Sequence, residues 1–325
     1  MSLIGVIGSG AWGTTIANIL SENRHDVVLW SRNKEFSDSL EIEQENKRYL
    51  SGIRLSKDIR FSSDLRLAVE NKEIIFIAVP SQHVREVGER FRKYVSERTI
   101  IVNLAKGIEI KTHKRMSEIL EEIFPNPIIT LSGPNYSIEV ANKLPTATVI
   151  ASKNKEALVH VKNALSTSYF KVYPHSDIIG VELCGSIKNI TAIAAGIISG
   201  MGYGYNSLAS IITLGLTEMN TLGRLYGASR STVYGLAGVG DLALTCMGSH
   251  SRNQLVGREL ANGKSLEEIY KILDGKIAEG IETAKAVHDI CIRNSLRMPL
   301  TEEIFQILYG NKKIEIAVRD LLEKI

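Results

Sequence analysis

Cysteine is scarce in this 325-residue sequence. The three present, Cys184, Cys246 and Cys291, show no CxxC spacing and cannot all pair with one another. That usage points to a reducing compartment and argues against a zinc site. A dominant charge sign is also missing, because 39 Lys and Arg stand against 36 Asp and Glu, scattered without a long basic run. No nucleic-acid partner is expected. The opening residues lack the basic, apolar and cleavage-site succession of a secretory signal, so a cytoplasmic location is expected. Charge is absent altogether from Asn189 to Thr217, which is long enough for a membrane span. That stretch nevertheless contains Gly196, Gly200, Gly202, Gly204 and Gly215, with Tyr203, Tyr205 and Asn206 near its middle. A helix so interrupted would leave backbone groups unpaired in lipid. It reads as two buried helices joined by a glycine-rich turn, with no transmembrane segment. No internal repeat or low-complexity segment stands out.

The composition that remains, 44% hydrophobic and 23% charged, is that of a globular protein, and the length suits two domains. The most informative stretch is Gly8-Ser9-Gly10-Ala11-Trp12-Gly13. An apolar run ending at Ile7 precedes it, apolar residues at helical spacing follow from Thr14, and Asp26 to Trp30 reads as a second strand. In that setting Gly8 permits a tight turn, Gly10 lets backbone approach a pyrophosphate, and Gly13 lets helix and sheet pack closely. The first-turn amides and the helix dipole then face the anion. The second strand ends in Ser31-Arg32-Asn33 with no acidic residue at its tip, so NADP(H) is favoured or tolerated beside NAD(H).

Further strands are predicted at Glu73 to Val79, Thr99 to Leu104, Pro127 to Leu131, Thr146 to Ala151 and Phe170 to Tyr173. Three of them run into turns that carry polar groups: Val79-Pro80-Ser81-Gln82, Ala105-Lys106-Gly107 and Ser132-Gly133-Pro134-Asn135. Residues Lys34 to Leu50 form a charge-rich segment followed by a short loop. From Val181 the apolar spacing is helical with little strand signal. The fold class is therefore α/β, with a Rossmann-like doubly wound sheet in a dinucleotide-binding domain over 1–177 and an all-helical substrate-binding domain over 178–325.

Polar groups that a helical core does not need recur in Glu182 to Asn189, Gly238 to Thr245, Ser251-Arg252-Asn253 and Ala278-Glu279-Gly280. Together with the glycine turn and the three strand-end turns, these motifs resemble in order and spacing the NAD(P)-dependent glycerol-3-phosphate dehydrogenases, especially the bacterial and organellar branch that supplies phospholipid synthesis. The resemblance implies interconversion of dihydroxyacetone phosphate and sn-glycerol 3-phosphate. It makes Lys188, in Cys184-Gly185-Ser186-Ile187-Lys188-Asn189, the general acid/base. A lysine acting as a base near neutral pH needs its ammonium destabilised by burial or a second cation, which Lys106 could supply. The resemblance places Lys106, Gly133, Asn135, Asn189, Asp241, Thr245, Ser251, Arg252 and Asn253 at the substrate. Arg252 suits phosphate because its planar fork pairs with two oxygens. The cofactor positions are Gly8, Ser9, Gly10, Ala11, Trp12, Gly13, Ser31, Arg32, Lys106, Ser137, Arg252 and Glu279. No metal is implied, and a homodimer is. Asn135 and Ser137 depart from the Ser and Ala common at those places. Asp241, taken alone, is more often a helix cap. His83 and His250 are the histidines nearest these motifs. The competing readings are a related 3-hydroxy-acid or sugar-acid dehydrogenase and a non-catalytic nucleotide sensor.

Overall fold

Leu3–Ile7 (β1) is the strand that carries the chain into the glycine turn, and Ala11–Glu22 (α1) leaves it. The computed structural model describes residues 1–248 and 250–323. Two units emerge: one contains Met1–Ala105 and Met116–Ile178, the other Lys106–Arg115 and the chain from Ile179 onward. Sequence reading made the first domain contiguous over 1–177, whereas the short segment Lys106–Arg115 belongs by its contacts to the second unit.

In the first unit α1 is followed by β2 (Asp26–Trp30), α2 (Lys34–Glu43), β3 (Glu45–Asn46), β4 (Leu50–Arg54), β5 (Ile59–Ser62) and α3 (Leu65–Val69). Next come β6 (Ile74–Ile77), α4 (Val84–Phe91), β7 (Ile100–Asn103), α5 (Met116–Ile123) and β8 (Ile128–Ser132). The unit closes with α6 (Ser137–Ala141), β9 (Thr146–Ala151), α7 (Lys155–Leu165) and β10 (Phe170–His175). Eight strands make one sheet in the order β10-β9-β8-β7-β6-β1-β2-β5. All its pairs are parallel except β8 with β9. Parallel strands covered on both faces read as unbroken apolar runs, and β6 shows why. Its Ile74 and Phe76 enter one core with Ile16 of α1, while Ile75 and Ile77 enter another with Val84 of α4. The two cores are the alternate faces of one strand. The charge-rich segment ends in β3, which pairs antiparallel with β4 just beyond it, and β5 follows as an edge strand of the main sheet where a short loop was expected. Pro174 is tolerated in β10 because that strand lies at the sheet edge.

The second unit comprises α8 (Ile178–Gly200), α9 (Tyr205–Leu225), α10 (Arg230–Val233), α11 (Asp241–Met247) and α12 (Arg252–Ala261). It continues with α13 (Leu266–Leu273), α14 (Glu279–Asn294), α15 (Pro299–Tyr309) and α16 (Ile314–Leu322). Helix α8 is long and apolar enough to cross a membrane, but 94% of its most apolar window is buried inside the protein. It forms the centre of this unit's core with Ile193, Val256, Ile281 and Leu300. The expected pair of buried helices is only half right, since α9 turns Tyr205, Ala209, Thr213 and Thr217 outward. Backbone contact explains two glycines. A Cβ on Gly196 would stand 2.2 Å from Gln254 O, and one on Gly257 would stand 2.0 Å from Ile193 O. Helices α8 and α12 therefore cross closer than any side chain allows. Glu218 of α9, 1% exposed, caps the start of α15 by accepting from Leu300 N at 2.6 Å and from Thr301 N at 3.1 Å and Thr301 Oγ1 at 2.6 Å.

Candidate active site

In the first unit the glycine turn has the geometry of an anion cradle. Gly8 lies at φ +117°, and a Cβ there would sit 2.7 Å from Ala78 O. A Cβ on Gly13 would meet Gly8 O at 1.9 Å, so only glycine lets α1 approach the turn. Gly10 differs, because a Cβ there would meet nothing within 4 Å. The open space over Gly10, at the start of a helix with no side-chain cap and no acidic first turn, is what a pyrophosphate requires. The turn is braced from behind by Asn46, which is fully buried and donates to Ser9 O at 2.9 Å and Thr14 Oγ1 at 2.8 Å. Sequence reading missed Asn46, since a single Asn in a charged segment carries no pattern.

The other residues expected at the nucleotide vary in what surrounds them. Ala11 and Trp12 open α1. Trp12 packs edge-on against Phe170 at 6.2 Å, and its Nε1 is buried with no hydrogen-bond partner among the described residues. Ser31 is buried and pairs through its N–H with Ser62 O, while Arg32 is exposed at the tip of β2. Gly133, at φ +136°, makes the turn after β8. Asn135 Nδ2 donates to Thr148 Oγ1 at 3.0 Å, and Ser137 O accepts from Thr15 Oγ1 of α1 at 3.3 Å.

In the second unit a compact charged cluster is buried. A π-helical turn over Leu236–Gly240 leads into α11 and delivers Asp241. Asp241 is not the helix cap its position allowed; no side chain caps α11. Its Oδ2 instead accepts from Lys106 Nζ at 2.8 Å, and its Oδ1 lies 2.8 Å from Lys188 Nζ. Lys188 Nζ also donates to Thr245 Oγ1 at 2.7 Å, and that hydroxyl donates to Asp241 O at 2.6 Å. The side chains of Lys106, Lys188 and Asp241 are 15%, 8% and 1% exposed. Burial opposes ionisation of Asp241, yet the two ammonium groups hold its carboxyl below the usual range. Burial also lowers Lys106, with Asp241 opposing and Lys188 adding, so that its ammonium is pushed down to about 8. Burial pushes the neighbouring Cys246 thiol up to about 12, which closes thiolate chemistry beside Lys188.

Asn189 and Asn253 form a chain behind this cluster. Gly280 N donates to Asn253 Oδ1 at 3.0 Å, Asn253 Nδ2 to Asn189 Oδ1 at 3.0 Å, and Asn189 Nδ2 to Lys106 O at 3.1 Å. Both side chains are thus engaged with the protein, and a Cβ on Gly280 would break the chain by standing 2.8 Å from Asn253 Oδ1. Ser251 caps α12 by accepting from Gln254 N, and Arg252 and Asn253 stand in the helix's first turn. Arg252 Nη1 donates to Ile277 O at 2.9 Å. Glu279 is the first residue of α14. His83 is a surface residue 3.6 Å from Glu86, and His250 is exposed. The described residues contain no group of three or more His, Cys, Asp or Glu placed to hold a metal ion.

A glycine turn of the dinucleotide-binding type in one unit and a buried lysine-aspartate-lysine cluster in the other define the class of two-unit nucleotide-dependent dehydrogenases. The chain belongs to the NAD-dependent glycerol-3-phosphate dehydrogenase family, whose N-terminus model matches residues 3–158 and whose C-terminus model matches residues 177–319. A glycerol-3-phosphate dehydrogenase [NAD(P)+] of Chlorobium limicola is 43% identical over 99% of this chain and 97% of its own length. That of Chlorobium phaeobacteroides is 45% identical over the same shares. The crystal structure of glycerol-3-phosphate dehydrogenase from Coxiella burnetii superposes with a TM-score of 0.96 at 36% identity, covering 99% of each chain.

Proposed function

We propose that this protein is an NAD(P)-dependent sn-glycerol-3-phosphate dehydrogenase that interconverts dihydroxyacetone phosphate and sn-glycerol 3-phosphate. The observation that carries the reading is Asp241 held between Lys106 and Lys188 at 2.8 Å each, at positions matching the family's site motifs. When bound, the nicotinamide supplies or accepts the hydride. The first unit binds the nucleotide and the second binds the substrate and moves the proton.

The lysines do that work through their hydrogen bonds. An ammonium has three N–H donors. Lys188 directs one to Asp241 and one to Thr245, which leaves one for the C2 oxygen of the substrate. In ketone reduction Lys188 donates that proton while Lys106 stabilises the developing oxyanion. In alcohol oxidation the proton returns to Lys188. Asp241 and Thr245 orient the amine, and the surplus of positive charge over Asp241 favours the oxyanion. The substrate phosphate is held by Arg252 at the start of α12, whose dipole adds to the attraction. Asn189 and Asn253, expected at the substrate, also brace the Lys106 backbone and the start of α14 through their internal hydrogen bonds. Arg32 reads the 2′-phosphate of NADP(H).

The enzyme acts in the cytoplasm as a homodimer that supplies glycerophospholipid synthesis. The outward side of α9 supports association. Thr213, Thr217 and Thr221 each donate their hydroxyl to the backbone four residues back, so this uncharged face is cheap to desolvate.

The test is the initial rate of NADPH or NADH oxidation with dihydroxyacetone phosphate, repeated on Lys188→Ala. Turnover in the wild type and a loss of at least roughly 10³-fold in the variant, with nucleotide affinity unchanged, is expected. Two bound nucleotides and no turnover in the wild type would overturn the reading. The NADPH to NADH ratio, compared with Arg32→Ser, reports whether Arg32 selects.

A further inference from the structure

Lys106 reaches the site on a hairpin. Ile108 pairs with Arg115 across it, Glu109 N donates to Lys114 O at 3.0 Å, and His113 turns the tip at φ 59°. Ile108 is 1% exposed and packs into the core of the second unit. Both ends of the hairpin are held by α8. At one end Asn189 Nδ2 donates to Lys106 O at 3.1 Å. At the other Arg115 Nη1 donates to Glu182 Oε2 at 2.7 Å, with the two side chains 10% and 4% exposed. Glu182 and Asn189 are two helical turns apart, hence on one face of α8 and about 10 Å from each other along its axis.

Stability alone does not account for the Arg115–Glu182 pair. Desolvation of two buried charges offsets most of their attraction, and an apolar pair of similar volume serves as well or better. What the pair supplies is direction, because a planar guanidinium on a carboxylate fixes both partners in a way a flexible side chain does not. The cross-hairpin pairing of Arg115 with Ile108 passes that constraint to the strand carrying Lys106, two residues away.

We propose that Arg115 and Glu182 are positioning residues for Lys106: their ion pair locks the Lys106–Arg115 hairpin onto α8, the helix bearing Lys188, and so sets how the two lysines share Asp241. This rests on the reading of Lys106 and Lys188 as the lysines that face substrate. The charged groups that act on Lys106 include Asp241 of α11 and Lys188 of α8. At the hairpin tip, His113 Nε2 lies 3.4 Å from Asp289 Oδ2 of α14, a further tie. A displacement of about an ångström at a reacting group costs roughly 10²-fold in rate, so a loosened hairpin is visible in turnover.

The experiment compares the full-length wild type with Arg115→Lys, Glu182→Gln, the swapped pair Arg115→Glu/Glu182→Arg and the apolar pair Arg115→Met/Glu182→Leu. It measures kcat, both KM values, the pH profile of kcat and the thermal midpoint. It also follows the pH dependence of Lys106 acetylation by acetic anhydride, read by mass spectrometry, which needs no turnover. The expected result is a fall in kcat of about 10- to 100-fold in the single variants and the apolar pair, with KM for nucleotide unchanged. The Lys106 labelling midpoint moves away from that of the wild type, and the swapped pair recovers part of both. Variants that melt earlier yet keep the wild-type kcat and labelling midpoint would overturn the proposal, as would an apolar pair with full kcat. If the wild type fails to turn over dihydroxyacetone phosphate, the functional reading fails by itself. The labelling midpoints then decide the clamp alone, a shift supporting it and identity with wild type overturning it.

Discussion

Lys106 is the residue on which the electrostatics of the site converge. Burial pushes its ammonium down to about 8, within reach of ordinary assay conditions. The protonated form is the one that stabilises an oxyanion, and it is lost as pH rises through that value. Ketone reduction, followed as kcat/KM for dihydroxyacetone phosphate, is therefore expected to decline above about pH 8. Lys106→Met is expected to lower the rate at neutral pH by roughly 10²-fold and to remove that limb. A limb left in the same place by the variant would assign it to another group. The sequence motif named Lys106 as a site residue, but the partners that tune it lie 82 and 135 positions away. No local pattern carries that information.

Glu218 decides how α9 meets α15. Three donors from Leu300 and Thr301 favour its charged form, but burial outweighs them and raises its pKa from 4.5 to about 7. Between those values the folded state binds the proton that the unfolded chain has released, so stability is fully present below pH 4.5 and is lost as pH rises through about 7. Against Glu218→Gln, which carries no titrating group there, the wild type should lose about 3 kcal/mol over that window in urea unfolding. A pH-independent difference would mean that the three donors keep the carboxylate ionised throughout. The same element scale shows what periodicity conveyed. It identified α8 and the central strands because their apolar residues face protein all round. It overstated the burial of α9, whose threonine hydroxyls fold back on the helix and mimic an apolar face.

Across the whole molecule, the chain order of the two units is interrupted. Residues 106–115 lie in sequence between β7 and α5 of the first unit but pack with the second. A fragment of 178–325 lacks Ile108 from its core and leaves Glu182 without Arg115, and loss of one partner from a buried pair costs about 3–5 kcal/mol. Such a fragment is expected to melt without cooperativity in circular dichroism. The same fragment with 106–115 joined through a flexible linker should recover a transition, and equal melts for the two would remove the hairpin from this unit's folding requirements. What sequence alone determined were the features written in neighbouring residues. These are the strand, glycine turn and helix of the nucleotide fold, the change to helical spacing, and the motifs that identify the family. Tertiary structure alone decided that Asp241 bridges two lysines rather than capping a helix, that Asn46 braces the glycine turn, and that the Lys106 hairpin is clamped to α8. Each of these is a contact between side chains far apart in the chain. Its energy depends on burial and distance, which local composition does not encode.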